Sequence, residues 1–211
     1  MAQEQDEHGG TSRADRASRV AAMQQAEKAG ARRRRIAAIA IPTVLVLGVA
    51  AGVTAVIANQ PDPPSLDAVA TFGYSNAEEH TEEAQDYPEL PPVGGPHNPV
   101  WLNCGVYDAP VPNENAVHSM EHGAVWITYA PDLPAAQVGL LRDDVADQSY
   151  TVLSPYDGLP SPVVLSAWNT QLQVQDADDP RIDAFLARYV QGEQTPEPGA
   201  LCSNGTGTPT G

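Results

Sequence analysis

The sequence predicts an α+β fold, a small mixed or antiparallel sheet with two helices, preceded by one transmembrane helix. Three observations lead there. Residues 36–58, IAAIAIPTVLVLGVAAGVTAVIA, carry no charge. Short β-branched and aromatic stretches recur between 100 and 175, bounded by proline or glycine. Two stretches, 133–148 and 179–192, instead repeat apolar residues at every third and fourth place.

Taken in order, residues 1–35 form a polar tail with eight of the 11 Lys and Arg of the chain against five acids. Alanine, glutamine and arginine favour a helix in its middle, but no apolar face is wide enough to pack, and the tail is expected to be disordered. The run 36–58 is long enough to cross about 30 Å of hydrocarbon as a helix. Pro42, Gly48 and Gly52 are tolerated in such a helix. Arg32–Arg35 directly before it place the N-terminus in the cytoplasm and the rest outside, by the positive-inside rule. A cleaved signal peptide would want a shorter leader and an apolar core of about 7–15 residues. The expectation is a single-pass protein of the cell membrane, with the lipid bilayer as its first partner.

Residues 59–65, NQPDPPS, are a stiff proline-rich linker, and an extracytoplasmic α+β domain is expected over 66–202. Within it, 77–99 is acidic and then rich in proline and glycine, a loop with a short helix near Glu78–Glu83. Strands are expected at 100–111, 123–130, 150–155 and 162–175. In the helix at 133–148, Val138, Leu141 and Val145 share a face. At 179–192, Asp179 can cap, Pro180 suits the first turn, and Ile182, Phe185, Leu186 and Tyr189 form one stripe. Residues 203–211 are expected to be a flexible tail.

Charge separates the two parts. Of 27 acidic residues, 22 follow Ala58, whereas only three bases do, Arg142, Arg181 and Arg188, a formal balance of −19 with no lysine. Nucleic acid is a poor partner for such a surface, and a cation suits it better. Cys104 and Cys202 both lie in the outer part, where an oxidising compartment makes a disulfide the default. Closing so long a loop stabilises by about 4–5 kcal/mol in the chain-entropy model. The other possibility is a Cys104 thiolate acting as a metal ligand.

All four outer histidines, His80, His97, His118 and His122, fall within 43 residues. His97 sits in the rigid loop GGPHNP, and His118 and His122 in AVHSMEHGAVWITY. If 116–122 is helical, those two imidazoles lie one turn apart on one face, as a helix offers them to zinc. HSMEH then also matches the H-x-x-E-H pattern of inverted zinc proteases, with Glu121 as general base and Glu193 or Glu197 as distant third ligands. If the segment is extended, His118, Met120 and His122 share a face, a row suited to copper. Bland readings stand beside these: His97 as a hydrogen-bonding turn residue, Met120 as core, and Trp101, Trp126 and Trp168 as packing in strands. Tyr107, Asp108, Asn113, Glu114 and Asn115 are candidates to hydrogen-bond an imidazole N–H.

The stretches GGPHNPVWLNCGVYDAPV, ENAVHSMEHGAVWITYAPDLP, LSPYDGLPSPVVLSAW and TPEPGALC resemble a family known only as a domain of unknown function, found chiefly in single-pass membrane proteins of actinomycete bacteria. The resemblance runs from about residue 66 to Cys202. It implies an extracytoplasmic placement and a motif that includes His97, His118, Glu121, His122 and Gly123, and it brings no activity.

The residues therefore lead to a membrane-anchored, extracytoplasmic metal-binding domain, copper first and zinc second. His97, His118 and His122 are its ligands and Met120 and His80 optional ones, and it handles or delivers the ion rather than catalysing. The alternative is a structural or assembly subunit docking onto another envelope protein, and a zinc-dependent hydrolase comes third.

Overall fold

A computed structural model describes residues 13–58, 63–146 and 148–210. The chain divides into two compact units, residues 1–62 and 63–211. In the first, α1 (Arg13–Ala58) is one continuous helix. The stretch 13–35 is therefore helical where disorder was expected, its alanine-rich sequence needing no packed face to hold the backbone. The expected span at 36–58 forms the second part of α1. Among the described residues, however, no helix is long and apolar enough to cross a membrane. Most side chains of 37–58 fall outside the described set, so the apolar character of the span is carried by the sequence alone. The linker residues 59–62 also lie outside it.

The second unit is α+β. Its sheet comprises β1 (Ala70–Thr71), β2 (Gly105–Val106), β3 (Val125–Tyr129), β4 (Thr151–Pro155), β5 (Val163–Ala167) and β6 (Thr170–Val174), in the order β1-β6-β5-β3-β4-β2. It is mixed, and larger than expected: β2, β4 and β3 run parallel, and β3, β5, β6 and β1 antiparallel. Three helices join it, α2 (Asn113–Glu121), α3 (Ala135–Ala146) and α4 (Arg181–Tyr189). Two of them match the expected pair; α2 is additional.

Alternation along the central strands sends side chains into two apolar clusters. Val125, Ile127 and Tyr129 of β3 join Leu153, Leu165, Leu141, Ile182, Phe185 and Leu186 in one. Trp126 between them joins Val152, Leu102, Val117, Met120 and Trp168 in the other. The amphipathic stripes of α3 and α4 thus close one face of the sheet, and α2 closes the other.

Three local expectations are corrected. The run 162–175 is a hairpin rather than one strand: Ala167 pairs with Thr170, and Asn169 makes the reversal at φ 57°, a left-handed conformation asparagine tolerates. The run 100–111 contributes only β2 and a single bridge at Leu102, because its backbone is committed elsewhere. Residues 203–210 are not loose: Thr206 bridges Leu102, the Asn103 N–H donates to Thr206 O (2.8 Å), and the Thr210 N–H to Val106 O (2.7 Å). Cys104 and Cys202 form the expected disulfide, which leaves no thiolate for a metal.

Candidate metal centre

Helix α2 carries two of the site residues, His118 and Glu121, and His122 caps its end. Its sequence has no apolar stripe, yet Ala116 through Glu121 are all buried. Val117 and Met120 turn into the core, and His118 and Glu121 lie on another part of the helix. The helix stops at His122 because Gly123 adopts φ +95°, where a side chain would be strained. The Gly123 N–H caps Met120 O and the Ala124 N–H caps Ser119 O, and the chain turns directly into β3. His122 is thus held at the last turn.

The loop 95–102 is laced to α2. The Leu102 N–H donates to Asn115 O (3.0 Å) and Ser119 Oγ (2.9 Å), and Ser119 Oγ–H donates back to Leu102 O (2.7 Å). Asn115 Nδ2 donates to Val100 O, and the Tyr87 hydroxyl to Pro96 O. This fixes His97, which is completely buried. The segment around His80 is extended, not helical. The His97 N–H donates to Glu79 O (2.9 Å) and the Thr81 N–H to His97 O (2.7 Å), so a short parallel bridge sets His80 beside His97.

One ligand atom each of His80, His97, His118 and Glu121 lie within 4.8 Å of one another. The His80 ring stacks on that of His118 with centroids 4.9 Å apart, and the His97 ring meets both edge-on. His122 adjoins the group, its Nε2 3.0 Å from His118 Nε2. Tryptophans flank the rings, Trp168 on His97 and Trp101 on His118 and His122.

Three of the rings are oriented in the same way. The Nδ1–H groups of His97, His118 and His122 donate to the carbonyls of Gly95 (2.9 Å), Asn98 (2.6 Å) and Leu201 (2.6 Å). A carbonyl only accepts, so each Nδ1 bears the proton and a neutral ring presents Nε2 as a bare acceptor. Those acceptors face other acceptors. His97 Nε2 lies 3.1 Å from Glu121 Oε2, and His122 Nε2 3.5 Å from Glu197 Oε2, whereas His80, whose Nδ1 is not so engaged, can donate its Nε2–H to Glu121 Oε2 at 3.4 Å. Something positive must separate such groups, either a proton or a cation. For His118 a proton is disfavoured. Burial above all pushes its pKa down to about 4, against the pull of the Asn98 carbonyl and with help from His122 and His97. Burial alone would raise the Glu121 carboxyl, but His97, His118 and His80 outweigh it and hold the group below its usual range.

The spacing fits a metal. Ligands about 2.0–2.1 Å from zinc at the tetrahedral angle stand about 3.3–3.4 Å apart; the two contacts on Glu121, 3.1 and 3.4 Å, are close to this, and all four ligand atoms lie within 4.8 Å of one another. Nδ1 anchoring to carbonyls is the usual device that aims a ligating imidazole.

The structure thus brings together His80, His97 and His118, with His122 adjoining, and separates Met120 from them. The row of His118, Met120 and His122 required an extended backbone, and a helix packs Met120 in the core beside Trp126. Glu121, expected as a base only in a hydrolase, faces two imidazoles and is buried. Tyr107, Asp108 and Asn113–Asn115 are engaged elsewhere, and the imidazole N–H groups go to carbonyls instead. Trp101 and Trp168 lie outside strands. The carbonyls of Gly95, Asn98 and Leu201 carried no signal in the sequence beyond the stiffness of GGPHNP and PEPGALC.

A small α+β domain enclosing a His/Glu cluster that could bind a metal ion is the class these observations define. The chain belongs to the family described as Protein of unknown function (DUF3105), whose model matches residues 79–204. The match covers every donor named above. No curated protein and no solved structure is significantly similar to the chain.

Proposed function

We propose that the outer domain binds a divalent transition-metal ion, zinc or copper(II), through His97, His118, Glu121 and the rim residue His80. The observation that carries this reading is the convergence of three imidazoles, two of them aimed by Nδ1–H bonds to carbonyls, on a buried carboxylate. The donors are nitrogen and oxygen only. With Met120 in the core and both cysteines in the disulfide, copper(I), which prefers sulfur, loses its support. Zinc and copper(II) both suit imidazole, and copper(II) has the higher intrinsic affinity.

The role is handling or delivering the ion rather than catalysis. Glu121 is occupied by two histidines, while the His80 side chain is 45% exposed, so one ligand of the set is open to exchange with a partner. The domain sits on the extracytoplasmic side, tethered by residues 36–58. The uncharged run behind four arginines and the Cys104–Cys202 disulfide support that placement.

Elemental analysis of the full chain, purified in detergent without chelator or histidine tag, tests the reading. At least one equivalent of zinc or copper is expected, and its loss in a His97→Ala/His118→Ala variant that stays folded. Equal, weak binding by both proteins in a Zn(II) and Cu(II) titration would defeat it. It would leave the rings as buried hydrogen-bonding groups of an assembly subunit.

A further inference from the structure

The donors outnumber what one ion needs, and their close contacts divide them in two. His80 and His97 both approach Glu121 Oε2, at 3.4 and 3.1 Å. His122 Nε2 approaches His118 Nε2 at 3.0 Å and Glu197 Oε2 at 3.5 Å. In the second group, the His118 and His122 rings each give their Nδ1–H to a carbonyl, of Asn98 and Leu201. Between two neutral rings both Nε2 lone pairs would meet with no hydrogen between them, so a cation or an added proton must lie there, and both rings are almost fully buried. A carboxylate as third neighbour supplies negative charge and no proton. Two imidazoles and a carboxylate, with His122 Nε2 3.0 Å from His118 Nε2 and 3.5 Å from Glu197 Oε2, have the spacing of neighbouring ligands on one cation.

Resting on the metal-binding reading above, the geometry points to a dinuclear centre in which that donor set divides: His118 passes to a second divalent transition-metal position with His122 and Glu197, beside one kept by His80, His97 and Glu121. The backbone makes the second position as deliberately as the first. The Glu197 N–H donates to Glu121 O (3.1 Å), so the residue that supplies the outer carboxylate is anchored to the one that supplies the inner. Three protein ligands at each position leave room on each ion for a further small ligand.

Zn(II) titration of the metal-stripped full chain, followed by equilibrium dialysis and elemental analysis, tests this. Wild type is expected to take up two equivalents, and His122→Asn and Glu197→Gln one each. Glu197 is more than half exposed, so its variant leaves the fold intact and keeps the test informative should His122→Asn misfold. Copper(II) loading adds a second readout, a dipolar-broadened EPR signal at two equivalents that is absent in Glu197→Gln. Saturation of wild type at one equivalent overturns the second position and leaves the proposed function standing. No uptake at all overturns both. Two equivalents retained by both variants overturn the assignment of these residues.

Discussion

On one face of the sheet, α3 and α4 bury Leu141, Ile182, Phe185 and Leu186 against Ile127, Leu153 and Leu165. On the other, α2 brings Val117 and Met120 to Trp126 and Val152, but the same helix also buries His118, Ser119 and Glu121. The first face gains its stability from apolar area. The second carries groups that are costly to bury unless each finds a partner, and it finds them in backbone carbonyls and in one another. One face holds the domain together, and the other uses that rigidity to hold polar atoms in place.

The sharpest way to separate the two roles is to damage each alone. Phe185→Ala opens a cavity on the apolar face and is expected to cost about 3–5 kcal/mol of stability. Metal stoichiometry of the remaining folded protein should be unchanged, checked by denaturant melts alongside elemental analysis. Glu121→Gln keeps the shape of the polar face and removes its charge. We expect metal affinity to fall by more than about 100-fold, beyond the loss typical of a residue that only orients a ligand, read by competition with a chelator. A smaller effect is expected at Gly123→Ala, about 1–2 kcal/mol, from forcing a side chain into a left-handed backbone at the junction of the two faces. The last test is one of direction. Because the folded state holds His118 neutral, with its pKa moved from 6.5 to about 4, its contribution is fully present above pH 6.5. It is lost as pH falls toward 4, since the unfolded chain binds the proton more readily. Metal-free protein should therefore melt at progressively lower temperature across that window, and Glu121, also depressed, adds loss in the same sense. A flat profile would remove His118 from the buried set.

The two faces also differ in how readily the sequence discloses them. Helix α4 is legible because its apolar residues follow the helical period. β3 and β4 are legible because β-branched runs end at proline or polar turns. α2 is obscure for a physical reason: its buried side is partly made of histidine, serine and glutamate, so no hydrophobic stripe marks it. The β5–β6 reversal is obscure because Trp168 and Asn169 interrupt an apolar run without glycine. At the site, the meeting of His118 and His122 follows from their spacing, and His97 was expected as a third donor from its rigid loop. The part played by His80 depends on a bridge between residues 17 apart, which no local pattern announces. Glu197 was reachable only as a remote candidate, since a cross-chain bond to Glu121 places it.

The orientation of His122 by the Leu201 carbonyl spans 79 residues, and the segment that supplies it is pinned by the disulfide and by Thr206 against Leu102. A nascent chain therefore has no finished centre until residues 201–206 have been synthesised and laid back against the segment 101–104. Loss of the segment after Tyr189 would leave the sheet and the anchors of His97 and His118 in place, with His122 alone no longer aimed.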